Sequence, residues 1–509
     1  MFETPLLQPA LFQNIVGDHK PDILDCLNNL SNDEVFTPPS VTVQVLDLLP
    51  PTVWSDPSLT FLDPACKTGV FLREAAKRLM TGLAETIPDE QERRRHVFGK
   101  MLYGLAITEL TGLIARRSLY YSKDAASSFS VVKMADPQGN IHYSRGTHVY
   151  VRRKCKFCGA PEGALDRGEE LENYAYQFIH TKDLKDIFEM KFDVIIGNPP
   201  YQLQDAGDST GASPIYQLFV EQAKKLQPRY ISMIIPARWY AGGKGLDTFR
   251  AQMLGDRQIR KIVDYTSASD IFPGVDISAG ICYFLWSRSS DGPCEIENHV
   301  GGRVYTSTRN LDEYETFVRY GFAIPILKKV QKKTSKSLGD LVSSSKPFGL
   351  RTNVKPEDSG DLQLLWSGGL GPVSRNSITS GIEMIDKWKL ITSASSYDHG
   401  GLPDKNGQRR VLSRVEVLPP GTVCTETYIV IGSYNEEQKA ANTGTFIKTK
   451  FVRFLVSLHS LSQHITRERF SFVPALDMAI SWTDEDLYAY YDFTPEEIQI
   501  IETFIKEMP

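Results

Sequence analysis

Between residues 34 and 287 short apolar runs alternate with stretches of helical period, and this alternation limits the fold more than any other feature. "EVFTPPSVTVQVLDLL" reads as a Pro-Pro loop leading into an amphipathic helix, "LTFLDPACKTG" as a strand and loop, and "VFLREAAKRLMTGLAE" as a helix. "HVFGKMLYGLAITELTGLIARRSLYYS" reads as helix, short strand, turn and helix. The pattern resumes at "FDVIIGNPPY" and runs on through "SPIYQLFVEQAKKLQ", "RYISMIIPA" and "QIRKIVDYT". "AGICYFLWSR" is expected to form an antiparallel hairpin at the sheet edge. Strands that alternate with helices predict an α/β fold, a mostly parallel sheet with crossover helices.

With 509 residues the chain exceeds one ordinary core. We expect a first domain over 1–300, with a polar, Gly-rich insertion at about 124–178. A linker over 301–335 and a mixed α/β domain over 336–509 follow. No apolar run is long enough to cross a bilayer, no secretory signal opens the chain, and the seven scattered cysteines do not suggest a disulfide framework. A cytoplasmic protein without a membrane partner is expected. Net charge is −5, unevenly spread: Ile324 to Ala475 holds 21 Lys+Arg against 13 Asp+Glu, and Leu476 to Pro509 holds 1 against 9. A basic segment ahead of an acidic tail can present a polyanion-binding face or simply a solvated surface.

Chemistry concentrates at two strand ends. In "FLDPACKTGVF" an acid and small residues lie between a strand and a helix, where an open parallel sheet binds ligands. Gly69 is the residue best suited to close approach there. Glu109 follows the next strand, where it can hold a ribose hydroxyl or complement a helix dipole. Asp183 in "HTKDL" can accept from an adenine amino group. Asn198, Pro199, Pro200 and Tyr201 then end an apolar run. An exocyclic amine on a planar base is a poor nucleophile, because its lone pair is delocalised into the ring. The Asn198 side-chain oxygen and the Pro199 carbonyl can each accept one of its N–H groups and favour a tetrahedral nitrogen. Two prolines hold the acceptors rigid, and Tyr201 offers a face for stacking. A base within a duplex would have to flip out to reach them.

"DPACKTG" followed by "GNPPY", with "EVFTPPSVTVQVLDLL" ahead of both, resembles the gamma class of S-adenosylmethionine-dependent DNA adenine-N6 methyltransferases of restriction–modification systems. The motif order covers about 1–290, and the tail "FSFVPALDMAISWTDEDLYAYYDFTPEEIQIIETFIK" resembles the end of such enzymes' recognition regions. The resemblance implies a Rossmann-like methyltransferase domain, a C-terminal target-recognition domain, duplex DNA as partner and direct in-line methyl transfer. It also implies a separately encoded restriction endonuclease as companion. By position, Phe36, Thr37 and Pro38 would flank the methionine part of the cofactor, and Asp63, Ala65 and Gly69 would line its loop. Asp183 would meet its adenine, with Glu109 as the available ribose acid. Asn198, Pro199, Pro200 and Tyr201 would handle the target base, with Phe272 as a second aromatic. Two positions depart from the pattern: Lys67 stands where the family has glycine, and Ala106 where it has the ribose-binding acid.

The pocket has rivals, since ribosomal-RNA and protein-glutamine N-methyltransferases share Asn-Pro-Pro-Tyr, and a catalytically silent DNA-binding specificity subunit is a third reading. No acidic cluster suggests a nuclease metal site and no GxxxxGK[ST] loop is present, so a stand-alone methylase is expected. Cys155 and Cys158 in "CKFCGA" have the spacing of half a zinc site. Four ligands are needed, with His142 and His148 upstream and His180 downstream as candidates; two ordinary thiols in a loop is the alternative.

Overall fold

The computed structural model describes residues 35–162, 175–181, 188, 190–203, 213–275, 277, 279–314, 316–398, 404, 407–459 and 464–508. Pro39 and Pro38, which cannot donate to a preceding turn, start helix α1 (Pro39–Asp47), and its face of Val41, Val45 and Leu46 is buried. Strand β1 (Phe61–Cys66) is buried at all six positions, as a strand covered on both faces must be. Gly69, at φ +76°, turns the chain into helix α2 (Val70–Gly82). Helix α3 (Glu90–His96) leads to β2 (Leu102–Ala106), and helix α4 (Glu109–Tyr120) follows, its start fixed by a capping box between Thr108 and Thr111.

The next strands are β3 (Ile141–His142), β4 (Tyr150–Val151) and β5 (Lys154–Cys155). Helix α5 (Gln177–His180), β6 (Val194–Gly197), β7 (Gln202–Leu203), β8 (Ser213–Pro214) and helix α6 (Tyr216–Lys225) come after them. Strand β9 (Tyr230–Pro236), helix α7 (Asp247–Leu254), β10 (Ile259–Tyr265), β11 (Ile281–Ser287), β12 (Cys294–Val300) and β13 (Arg303–Arg309) complete the domain. Among the described residues the main sheet has nine strands, in the order β13-β12-β10-β11-β9-β6-β1-β2-β3. From β3 to β9 all neighbours are parallel.

Three sequence expectations shift. Strand β11 is antiparallel to both neighbours, but it lies inside the sheet between β9 and β10 rather than at an edge. Its alternate residues are buried on both faces, which an edge strand would not require. Strand β3, within the stretch expected to be inserted from 124, pairs with β2 as the sheet's edge. Strand β13, within the expected linker, is the opposite edge. Beyond it Arg319 makes a bidentate pair with Asp264 of β10 at 2.7 and 2.8 Å, both side chains buried, which ties the departing chain to the sheet.

Helix α8 (Ile324–Lys333) opens the C-terminal region. Two three-stranded sheets follow, one around Leu362–Trp366 and one around Trp388–Ser393. Helices Lys450–Leu458 and Pro495–Phe504 bury Phe451, Phe454 and Phe504 in the same cluster as α8. The acidic tail is partly spent on the preceding basic segment. Lys329 meets Glu497 at 2.6 Å, Lys333 meets Asp492 at 2.7 Å, and Lys450 meets Glu502 at 2.6 Å.

Candidate active site

Strand order reverses between β1 and β6: from β1 the chain winds towards β2 and β3, and from β6 towards β9. A crevice forms outside the carboxyl ends of strands at such a switch point. The two motifs singled out in the sequence flank it, "DPACKTG" at the end of β1 and "NPPY" directly after β6. Pairing of β1 with β2 slips between Asp63 and Cys66, where Pro64 has no N–H to donate. The freed Ala65 N–H donates to the Asp63 carboxylate at 3.1 Å. Burial raises the Asp63 acid to about 7, against the opposing pull of that N–H and of Lys67. Gly197 packs on the same carboxylate. Its φ is +151°, and an added Cβ would lie 2.7 Å from Asp63 Oδ1.

Asn198 is buried, and both its amide protons are committed. Nδ2 donates to the Val35 carbonyl at 3.1 Å and to Thr37 Oγ1 at 2.9 Å. A carbonyl only accepts, so this contact fixes which end of the amide carries the nitrogen. Among the described residues the buried Oδ1 has no hydrogen-bond partner. A buried acceptor in that state costs about 1–3 kcal/mol, so its retention points to a ligand that supplies the donor. Pro199 and Pro200 are buried and hold the turn. The Tyr201 ring packs against the core cluster that contains Phe272. Burial, partly offset by Asn198 beside it, pushes the Tyr201 phenol well above its usual range and keeps it neutral.

Lys67 does not point outward. It is buried, and its Nζ donates to the same Val35 carbonyl at 3.0 Å and lies 5.9 Å from the centre of the Tyr201 ring. One backbone oxygen thus joins the segment at 35–37, the loop after β1 and the Asn-Pro-Pro-Tyr turn. Phe36 is half-buried there, and Pro38 is the N-cap of α1. Ala65 is buried; Gly69 takes its left-handed conformation with its Cα against Ala115 of α4, since a Cβ would meet Ala115 backbone atoms at 3.0 Å. Its smallness is therefore used for helix packing. Glu109 is exposed in the first turn of α4, after β2, and Ala106 ends that strand. Phe272 is fully buried. Asp183 lies outside the described residues. Sequence reasoning missed Val35, whose role is its carbonyl, and Gly197, whose place directly before Asn198 was the available signal.

A second polar cluster lies in the inserted stretch. The ligating atoms of His148, Cys155, Cys158 and His180 all lie within 4.8 Å of one another. His142 is elsewhere, edge-on to Phe188 with ring centres 5.1 Å apart. Burial raises the Cys158 thiol to about 12. It acts the same way on Cys155, where N–H groups of the turn and His148 prevail and bring that thiol down to about 7.

An amide acceptor without a partner among the described residues, at the switch point of a doubly wound α/β domain, marks a place for a ligand that donates a hydrogen bond. Residues 100–272 match the Eco57I restriction–modification methylase family. An uncharacterized adenine-specific methylase of Mycoplasma pneumoniae is 37% identical over 325 residues, covering 57% of this chain and 77% of the relative. The chain belongs to this family of adenine-specific restriction–modification methylases and is an adenine-specific DNA methyltransferase. Among solved structures, the type IIL restriction–modification enzyme MmeI in complex with DNA aligns with TM-score 0.49 and 12% identity over 97% of this chain and 76% of that one. The EcoKI M protein of a type I enzyme aligns with TM-score 0.32 and 14% identity over 54% of this chain. This chain spans 50% of the EcoKI protein's length.

Proposed function

We propose that the protein transfers a methyl group from S-adenosylmethionine to the N6 amine of adenine in duplex DNA, with the target base flipped into the corner formed by Asn198 and Tyr201. The observation that carries this reading is the buried Asn198 Oδ1, whose amide is held by two hydrogen bonds through its nitrogen and which itself has no partner among the described residues. Such an atom suits one N–H of an exocyclic amine, and the Pro199 carbonyl suits the other. Accepting both draws the nitrogen toward a tetrahedral geometry and frees its lone pair. Asn198 cannot swing away without breaking its contacts to Val35 and Thr37, so little reorganisation accompanies the reaction. Tyr201 stacks on the base and, staying neutral, takes no proton from it.

The residues around the crevice suit the cofactor. Asp63, Ala65 and the α2 N-terminus after Gly69 would form one wall of its site and Phe36 to Pro38 another, and Glu109, in the first turn of α4, would hold its ribose. Asp183 is the proposed partner of the adenine moiety. When bound, the cofactor supplies an electrophilic methyl on a sulfonium, and no metal is needed for that step. Residues 336–509 are proposed to read the DNA site, with Arg351 and Lys355 exposed on the loop ahead of the first sheet of that region. Phosphate contacts would supply affinity and base-edge contacts specificity. Residues 1–300 would form the catalytic domain, and a separate endonuclease would share the recognised site.

The test is transfer of labelled methyl from S-adenosylmethionine to duplex DNA, structured RNA and protein, followed by hydrolysis and identification of the product. We expect N6-methyladenine from duplex DNA. Label in RNA or glutamine alone, or on cytosine, contradicts the proposal.

A further inference from the structure

We infer that His148, Cys155, Cys158 and His180 bind one zinc ion in a closed, four-ligand site. This site locks the inserted hairpin onto the helix that precedes the catalytic strand.

The local fold builds half of this site before any metal is considered. Arg152 and Arg153 adopt φ of +51° and +64°, so the hairpin from β4 to β5 turns in two residues. The chain then wraps over the sulfur of Cys155. The Phe157 N–H faces Cys155 Sγ at 3.4 Å, Gly159 N–H donates to the Cys155 carbonyl at 2.9 Å, and Cys155 N–H donates to Ala160 at 2.7 Å. Gly159, at φ +74°, closes the loop. A Cys-x-x-Cys loop folded this way presents both sulfurs to one point, and N–H groups aimed at sulfur favour the thiolate that a metal requires.

The histidines bring two more ligand atoms within 4.8 Å of both sulfurs, and His180 has the tautomer a metal needs. Ideal Zn–S and Zn–N bonds place neighbouring S and N ligands about 3.6 Å apart. Cys158 Sγ lies 3.5 Å from His148 Nδ1. His180 is held through Nδ1, 2.9 Å from the Tyr176 carbonyl. A carbonyl only accepts, so Nδ1 carries the proton and Nε2 keeps its lone pair. Nε2 is buried and has no hydrogen-bond partner among the described residues. A ring nitrogen whose partner N–H donates to a backbone carbonyl is the arrangement by which proteins orient metal-bound histidine. The imidazole rings of His148 and His180 pack edge to face, 4.9 Å apart.

The consequence is structural. Two thiolates and two neutral imidazoles balance the charge of Zn²⁺, and four protein ligands leave no open position for catalysis. The ion would join β5 to α5, a helix of one turn that cannot be stable alone. That helix stacks Phe178 on Phe219 of α6, the helix following the Asn-Pro-Pro-Tyr turn, at 5.7 Å between ring centres. Binding would release protons from the thiols.

The full chain, purified under reducing conditions in metal-depleted buffer, is analysed by inductively coupled plasma mass spectrometry. About one zinc per chain is expected for the wild type, consistent with a single four-ligand site. His142→Ala should retain it, whereas His180→Ala and Cys158→Ser should lose most of it. Cobalt loaded into metal-stripped wild type should give a thiolate-to-metal charge-transfer band and the intense visible bands of tetrahedral Co²⁺. Because the variants can fail to fold, the wild-type readouts decide on their own. Wild type with almost no zinc and no cobalt–thiolate band overturns the inference, as does a site that persists in His180→Ala but not in His142→Ala.

Discussion

The Asn198 corner and the Cys155–His180 cluster each contain a buried nitrogen or oxygen without a partner among the described residues, yet they call for opposite ligands. Asn198 Oδ1 can only accept, so it needs a hydrogen-bond donor, which the proposed amine supplies. His180 Nε2, with two sulfurs and a second imidazole beside it, offers a lone pair among other lone pairs, which a cation satisfies. The corner is built on the ends of two long-buried strands and anchored through one carbonyl, that of Val35. The cluster is built on a two-residue hairpin and a one-turn helix. The first scaffold can hold its geometry while substrates come and go. The second gains its rigidity from what it binds.

The contrast can be broken by experiment, from the largest effect down. Asn198→Ala should lower kcat/KM for methyl transfer about 1,000-fold while cofactor affinity in calorimetry stays within a few-fold, as for loss of a preorganised polar group. Gly197→Ala should lower folding stability by about 2–3 kcal/mol in urea melts, since it combines an unfavourable φ with contact on Asp63. Near-wild-type stability would mean that the strand end is softer than the Asn198 reading requires. Tyr201→Ala should weaken binding of a flipped base by about 1–3 kcal/mol, and Tyr201→Phe should restore most of it, because stacking rather than the hydroxyl is used.

Asp63 gives a pH signature. In the unfolded chain it loses its proton near pH 4, whereas in the fold burial holds the proton until about 7. The folded state therefore binds more protons in this window, and its stability falls as pH rises from about 4 to about 7. Asp63→Asn should remove that fall, so the variant gains on the wild type across the window in thermal melts. A constant difference between the two would contradict the raised acid. Smallest of all, Glu109→Ala should cost about 0.3–1 kcal/mol of stability as a helix N-terminal charge, and a larger loss of cofactor affinity than of stability would favour the ribose role.

The parallel sheet was legible because strands buried on both faces must be apolar along their whole length, as "FDVIIG" is. The Asn-Pro-Pro-Tyr turn was legible because its chemistry is contiguous in the chain. The interior place of β11 was not, since an antiparallel strand inside a sheet and a hairpin at its edge have the same local pattern. Neither was the inward path of Lys67, which depends on the Val35 carbonyl from a distant segment. The Cys155 and Cys158 pair announced itself by spacing, but choosing His148 and His180 over His142 required knowing that β3 carries His142 off to the sheet edge beside Phe188. The charge pattern of the C-terminal region misled in part: Lys329, Lys333 and Lys450 answer the acidic tail within the fold.

The distance from Asn198 Oδ1 to the target amine decides whether this atom is the acceptor. In a crystal of the wild-type enzyme with duplex DNA carrying its methylation site and a non-reactive analogue of S-adenosylmethionine, Asn198 Oδ1 should lie about 2.9–3.1 Å from the N6 nitrogen of an extrahelical adenine. An adenine still stacked in the duplex, or an amine bound elsewhere while Oδ1 is filled by water, would contradict it.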